Sequence, residues 1–215
     1  MRILAVHGIN TPTNYDYVSD WRNTLGREAG INCEIVPVRW ESAGDIATDV
    51  RRVMFDAKFR HRQVMRLMRA LMQLEQSARL SGQKAIVVAH SMGQPLVLAA
   101  ERILAQHGAA TRIEFVTLGG PLSHPFWGAG LRLAGLGKPT AQTPIAFFNR
   151  DDGVSTSALI GNNLQHWMDN RRIAVAGPGG YVVEHDANLY LANPNVYRAI
   201  QDHASPCREN RCLVS

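Results

Sequence analysis

A serine at the junction of a strand-like run and a helical run is the first feature of this chain that can do chemistry. Residues 85–88 read Ala-Ile-Val-Val, and the pentapeptide 89–93 (AHSMG) follows at once, ahead of a helical stripe of apolar residues. A tight turn of this kind places the serine at its apex. It needs small neighbours, here Ala89 and Gly93, because backbone and helix come close together. We therefore expect Ser91 to be a nucleophile; the alternative is a serine that only caps the helix.

A nucleophilic serine needs two partners. At its free pKa the hydroxyl is a poor nucleophile, so a base must take its proton and an acid must hold that base in the right tautomer. Asp151 and Asp152 follow the strand-like run 144–148, and His185 follows the run 181–183. The other histidines fit less well as the base: two flank motifs, three lie on helical patterns and two are candidate pocket residues (His7 and His90; His61, His107 and His203; His124 and His166).

The elements that position these residues alternate between strands and helices. Apolar runs bounded by turn residues predict strands at 3–6, 33–38, 85–88, 113–118, 144–148 and 181–183, with 173–176 as a further run expected to pair with the last. Helical spacing covers 18–28, 92–107 and 194–203. The alternation implies an α/β fold with a mostly parallel central sheet and helices on both faces. Reactive groups of such a sheet collect at the carboxyl ends of its strands.

The motifs and their order resemble the α/β-hydrolase superfamily, particularly its small lipase-like and esterase-like members without a large cap domain. The pentapeptide around Ser91 is similar to their nucleophile elbow, with Ala89 in place of the usual first glycine. The order of serine, then an acid after a later strand, then a histidine near the end is also theirs. The resemblance covers residues 3 to 203 and implies the α/β-hydrolase fold.

The resemblance also implies roles for the acid and the base. Because the family tends to place its acid two residues before a valine, it selects Asp152 over Asp151, which would then be a turn residue. The histidine in the loop after the last strand-like run matches the family's last motif, which selects His185 as the general base.

The oxyanion hole follows from the same resemblance. His7-Gly-Ile-Asn10, directly after the first strand, looks like the family's oxyanion turn. We therefore expect the backbone N–H groups of Ile9 and Met92 to stabilise the negative charge of a tetrahedral intermediate. The Asn10 side chain is a further candidate donor, with a turn role as the alternative.

The segment 44–80 is longer than one crossover helix requires. It contains no proline, and its subsegment 51–79 holds eight basic residues against two acidic ones, a net charge of +6. Part of the segment must be an ordinary crossover helix packed on the sheet. The remainder is a candidate lid, a docking face for an anionic membrane or a homodimer contact. Nucleic-acid binding is not indicated, since no aromatic interleaving or known motif accompanies the charge.

Bulk properties limit the remaining classes. A chain of 215 residues with 46% hydrophobic composition is expected to form one domain, residues 1–215, with a polar tail at 204–215. No apolar run reaches the length of a membrane span, and residues 1–6 are not followed by an adequate signal-peptide core. A cytoplasmic location is therefore expected.

Neither a cofactor nor a metal is expected. No complete dinucleotide-binding motif, P-loop or HExxH occurs. Cys207 and Cys212 would close a small loop if oxidised, but with Cys33 they are too few for a disulfide framework. A zinc site formed by these two cysteines and His203 lacks a fourth ligand.

The sequence thus predicts a serine hydrolase that cleaves a carboxylic ester through an acyl-enzyme on Ser91, with His185 as base and Asp152 as orienting acid. The substrate is expected to be a small ester or a lipid. Thioester hydrolysis and acyl transfer use the same groups and stay open. A binding module that keeps the fold without activity is the alternative from another class; the presence of every part in order argues against it.

Overall fold

The fold is built on six described strands that are all parallel, in the order β2-β1-β3-β4-β5-β6. The computed structural model describes residues 1–9, 11, 14–83, 85–108, 113–137, 144–149, 152, 172–175 and 185–204. The strands are β1 Arg2–Val6, β2 Glu34–Val38, β3 Ala85–His90, β4 Glu114–Leu118, β5 Ile145–Asn149 and β6 Arg172–Val175. The central position of β3 places residue 91 near the middle of the carboxyl edge.

Helices connect and cover these strands. They are α1 Tyr17–Ala29, α2 Ile46–Phe55, α3 Ala57–Ser81, α4 Gly93–Gln106, α5 Pro125–Leu133, α6 Ala187–Ala192 and α7 Pro194–Ala204, with a short 3-10 turn at Pro121–Ser123. Aspartates begin four of them, because each carboxylate accepts a hydrogen bond from a free N–H of the first turn (Asp16, Asp45, Asp56 and Asp186). Gly30 and Gly82 end α1 and α3 in the left-handed conformation that glycine adopts most easily.

Both faces of the sheet are buried, which explains why its strands read as continuous apolar runs rather than alternating ones. Along β1, Leu4 and Val6 face the cluster formed with α3 and α4, whereas Ile3 and Ala5 face the cluster formed with α1, α6 and α7. The α/β fold with a parallel sheet and helices on both faces is therefore confirmed.

The predicted strands and helices match the observed ones closely, with three differences. The run 173–176 is β6, one residue earlier, and it pairs with β5; its expected partner 181–183 lies outside the described residues. Helices α5 and α6 were not predicted. The segment 44–80 is two helices separated at Asp56, whose side chain accepts a hydrogen bond from the Phe59 N–H and so begins α3.

The two helices of this segment have different positions. Helix α3 packs against β1, β3 and α4 through a buried stripe and is the crossover helix that the sheet requires (Phe59, Val64, Leu67, Leu71 and Leu74). Helix α2 buries only Asp49 and Val53 fully and lies near the carboxyl edge of the sheet.

In the described part of the chain, no helix combines the length and apolar character needed to cross a bilayer.

Candidate active site

Ser91 occupies a strained turn between β3 and α4. Its φ of 52° is the only positive φ of a non-glycine residue in the described part of the chain, and such a conformation stores about 1 kcal/mol or more. Two hydrogen bonds hold the turn: the Ser91 N–H donates to the Leu118 carbonyl at 2.9 Å, and its own carbonyl accepts from the Gln94 N–H at 3.0 Å. At Gly93 a Cβ would lie 2.7 Å from the His7 carbonyl oxygen, so this position requires glycine.

The side chains of Ser91, His185 and Asp152 form a continuous hydrogen-bonded chain. His185 Nδ1 lies 2.8 Å from Asp152 Oδ2, and His185 Nε2 lies 2.8 Å from Ser91 Oγ. An ionised carboxylate only accepts, so Nδ1–H donates to it and Nε2 is left to accept from the serine hydroxyl. This is the arrangement in which an imidazole can remove a proton from a serine.

Asp152 is completely buried, and two donors face the same carboxylate oxygen. Besides His185, the Tyr190 hydroxyl donates to Asp152 Oδ2 at 2.7 Å. Gly119, which has a φ of +55°, leaves the space that the acid occupies: a Cβ there would lie 2.8 Å from Asp152 Oδ2 and 3.2 Å from His185 Nδ1. Sequence reasoning did not assign a role to Tyr190, although it lies on α6 only five residues after His185.

His90 connects the serine turn to the histidine loop. Its Nε2–H donates to the backbone carbonyl of His185 at 2.8 Å, and the two imidazole centroids are 4.7 Å apart. Burial lowers the pKa of His90 to about 3, so the ring is neutral at physiological pH. The sequence had indicated local packing or hydrogen bonding for this residue; the bond instead spans 95 positions along the chain.

The turn after β1 approaches the serine closely. A Cβ on Gly8 would lie 2.6 Å from Ser91 Cβ and 3.1 Å from its Oγ. The Gly8 carbonyl accepts from His7 Nδ1–H at 2.7 Å and from the Thr11 hydroxyl at 3.2 Å. In a planar trans peptide the N–H points opposite to the C=O, so these two donors also fix the direction of the Ile9 N–H.

His7 is itself held firmly. Its ring stacks on Trp40 with centroids 5.4 Å apart and meets Tyr17 edge-on, and the Trp40 Nε1–H donates to the His7 carbonyl at 2.8 Å. Burial lowers the pKa of His7 to about 4, which keeps the ring neutral.

A pocket of about 480 Å³ opens beside Ser91. Ile9, Met92 and His185 line it together with the serine, whereas Asp152 lies behind the histidine. Most of the remaining wall is apolar or aromatic, from four parts of the fold (Tyr15, Tyr17, Trp21, Ile46, Val50, Pro121 and Trp127). The chemistry of this wall suits an apolar acyl or aryl group.

The other candidates from the sequence are placed as follows. His124 begins α5, with its Nδ1 accepting from the Phe126 and Trp127 N–H groups at 3.2 Å, and burial lowers its pKa. Asn10, Asp151, His166, Cys207 and Cys212 lie outside the described residues. Cys33 is buried in the core, and burial raises the pKa of its thiol. Among the residues the structure describes, no three His, Cys, Asp or Glu side chains are grouped to share a metal ion.

Comparison with known proteins places the fold. No protein family matches the chain, and no curated protein matches its sequence. A structure of Est1E from Butyrivibrio proteoclasticus with ferulic acid bound superposes with a TM-score of 0.55 at 12% identity, covering 94% of this chain and 88% of that one.

Two structures of RedJ, named as a thioesterase from the prodiginine biosynthetic pathway in Streptomyces coelicolor, have TM-scores of 0.47 and 0.50 at 14% and 15% identity. Each alignment covers 94% of this chain, with 88% and 87% of RedJ. Est1E and RedJ are α/β-hydrolase fold proteins, and this chain has the same fold.

Proposed function

We propose that this chain is a serine hydrolase that cleaves carboxylic esters through an acyl-enzyme on Ser91. The observation that carries the proposal is the pair of 2.8 Å hydrogen bonds that link Ser91 to His185 and His185 to Asp152. The Ser91 end of this chain of bonds faces a mainly apolar pocket. A serine that only capped a helix would need neither a histidine nor a buried carboxylate behind it.

Acylation begins when Ser91 Oγ attacks the ester carbonyl carbon and His185 Nε2 takes the hydroxyl proton. Asp152 stabilises the imidazolium that forms. The tetrahedral intermediate collapses when the imidazolium returns this proton to the alkoxy oxygen, so the alcohol leaves and the acyl group stays on Oγ. A water molecule then attacks the acyl carbon while His185 takes its proton, and the acid departs as the proton returns to Ser91.

The oxyanion of each tetrahedral intermediate is bound, in this proposal, by the backbone N–H groups of Ile9 and Met92. Each such donor contributes about 3 kcal/mol to the transition state. His7 and Thr11 act as positioning residues, because their hydrogen bonds to the Gly8 carbonyl fix the peptide that carries the Ile9 N–H. Because His7 is neutral and a carbonyl only accepts, this bond requires the tautomer with the proton on Nδ1.

The pocket supports an ester whose acyl part is apolar and of moderate size, since its exposed wall is mainly aromatic and aliphatic, with Thr11, Asp186 and Asn188 among its polar members. Thioesters react through the same groups, and transfer to an alcohol differs only in which nucleophile reaches the acyl-enzyme. The test therefore includes a thioester. The cytoplasmic location stays a prediction from the sequence.

The decisive experiment compares the protein with Ser91→Ala on p-nitrophenyl esters from acetate to palmitate, on an acyl thioester and with a fluorophosphonate label. Ser81→Ala is the matched control, because Ser81 is exposed at the far end of α3. We expect the wild type and Ser81→Ala to turn over an ester and to be labelled, and Ser91→Ala to do neither. A folded wild type that is not labelled and hydrolyses nothing would instead support a binding module.

A further inference from the structure

The large apolar side chains that face solvent are concentrated on α2 and α5. Among the residues the structure describes, seven such side chains are exposed, and four belong to these two short helices. They are Ile46 (58% exposed), Phe55 (80%), Phe126 (73%) and Leu133 (91%). Isolated exposed apolar residues are ordinary, but a group of them beside a pocket indicates a contact surface.

Helices α2 and α5 are neighbours at the opening of the Ser91 pocket. A Cβ on Gly130 would collide with the Met54 side chain, so the helices pass in direct contact. Ile46 of α2 and Trp127 of α5 line the pocket, and the Phe126 ring meets the Trp127 ring edge-on with centroids 5.5 Å apart. We call the four exposed residues on these helices the α2–α5 border.

Positive charge predominates on the segments that carry this border, with Arg62 facing the Glu41 carboxylate at 3.6 Å. Residues 44–62 and 121–137 together contain six Lys or Arg and three Asp, a net charge of +3. Of the three carboxylates, Asp49 is buried, whereas Asp45 and Asp56 accept hydrogen bonds from the first turns of α2 and α3. Arg51, Lys58 and Arg132 are exposed to solvent.

The opposite side of the opening carries net negative charge, because among the described residues three carboxylates lie there with one cation, Arg39, which donates to the Tyr15 carbonyl at 2.9 Å. Asp16, Asp20 and Asp186 surround Tyr15, whose pKa is raised to about 12, first by its hydrogen bond to Asp20 and then by burial and these charges. The opening therefore has one apolar, basic side and one acidic side. A partner that meets the first side must be apolar and must carry negative charge at its boundary.

We propose that the α2–α5 border docks on an anionic lipid surface, so that the Ser91 pocket opens to esters held in that surface. This deepens, and rests on, the proposed ester hydrolysis. The four apolar side chains enter the lipid, and the neighbouring arginines and lysine lie at the level of the anionic headgroups. The acidic side around Tyr15 stays away from the surface. A second copy of this chain suits the border less well, since a twofold contact would bring two basic surfaces together.

Binding is tested separately from catalysis, with sedimentation of vesicles of phosphatidylcholine alone or with 30% phosphatidylglycerol. The Phe55→Ser/Leu133→Ser variant removes two border residues that do not line the pocket, and Arg51→Gln/Lys58→Gln removes two charges. The matched controls are Leu80→Ser and Arg27→Gln/Arg79→Gln. Leu80 is 83% exposed, and all three residues lie in the last turns of α1 and α3, at the opposite edge of the sheet from the pocket. We expect the wild type to bind only the anionic vesicles, and raised salt to weaken this binding. Binding should be at least about tenfold weaker for the apolar variant Phe55→Ser/Leu133→Ser and for the charge variant Arg51→Gln/Lys58→Gln.

Activity on a soluble short ester should be unchanged in both the apolar and the charge variant. Hydrolysis of a long-chain ester held in anionic vesicles should decrease in proportion to the loss of vesicle binding. Wild-type protein that hydrolyses the soluble ester but does not bind the vesicles would overturn docking and leave the proposed function intact. Vesicle binding by a wild-type protein that hydrolyses no ester would overturn the proposed function and leave docking on the lipid surface intact. A stable dimer in solution that Phe55→Ser/Leu133→Ser separates would assign the border to a second copy and overturn the proposal.

Discussion

The two ends of the candidate site are built in opposite ways. At the inner end, buried polar groups face one another at hydrogen-bond distance: Asp152 with His185 and Tyr190, and His90 with the carbonyl of His185. At the outer end, the α2–α5 border is apolar, exposed and close to positive charge. The inner end depends on fixed geometry, and the outer end on area and charge. Substitutions should therefore cost most at the inner end and least at the border.

The largest effect is expected at the buried acid. Asp152→Asn keeps the shape of the side chain but removes the charge that stabilises the imidazolium and fixes the tautomer, so kcat should fall by about ten-thousandfold. Asp151→Asn is the matched control and should retain most of the activity. Steady-state hydrolysis of a p-nitrophenyl ester by both variants measures the contrast. A larger loss in Asp151→Asn would show that the neighbouring carboxylate is the acid and that the inner end is wrongly assigned.

The second expectation concerns pH and the two buried neutral histidines. The pKa values of His7 and His90 are lowered by burial to about 4 and about 3, below the unfolded value of 6.5. Between pH 6.5 and 4 the unfolded chain binds protons that the folded chain does not. The free energy of unfolding should therefore fall with falling pH, by about 1.4 kcal/mol per unit for each histidine.

Denaturant unfolding between pH 7 and 4.5 measures this slope. His90→Gln removes one of the two groups and should make the slope clearly shallower, whereas His107→Gln, exposed at the end of α4, should leave it unchanged. Border variants such as Phe55→Ser should also keep the wild-type slope. An equal slope in His90→Gln would mean that this ring is not buried in its neutral form.

A smaller effect is expected at the second donor to the acid. Tyr190→Phe removes a hydroxyl that donates to the buried carboxylate at 2.7 Å, and hydrogen bonds to charged groups contribute about 1.5–3 kcal/mol. We expect kcat to fall by about tenfold with KM little changed, since the hydroxyl acts on the acid and not on the substrate. Tyr197→Phe, on the half-buried face of α7, is the control. A change confined to KM would indicate instead that Tyr190 acts on the substrate side.

The same division separates what the sequence could predict from what it could not. The strand, turn and helix around Ser91 are continuous in sequence, so their small residues and apolar periods were sufficient. The bond from His90 to the His185 carbonyl joins residues 95 positions apart, and no local pattern encodes it. The same is true of Tyr190, because the carboxylate to which it donates lies 38 positions away along the chain.

The segment 44–80 illustrates the limit at the outer end. Both α2 and α3 have apolar residues at helical spacing among arginines, so periodicity alone could not separate a helix packed on the sheet from one at the pocket opening. The aspartate at position 56 was an available signal, because Asp is a preferred first residue of a helix. Which apolar residues stay exposed depends on the packing of α2 against α5, and that contact is not local in sequence.

An effect no larger than that at Tyr190 is expected where the two ends meet, at Val50, which lines the pocket from α2. Val50→Trp should fill part of the space of about 480 Å³ beside Ser91 without touching the hydrogen-bonded chain. The ratio of kcat/KM for p-nitrophenyl decanoate to that for the acetate should fall by about tenfold, the lower end of the roughly 1–3 kcal/mol that one methylene contributes in an apolar pocket. Ala47→Trp, exposed on the same helix, should leave the ratio unchanged. Equal loss on both esters would mean that α2 supports the catalytic geometry itself, and the contrast between a rigid inner end and a tolerant border would no longer hold.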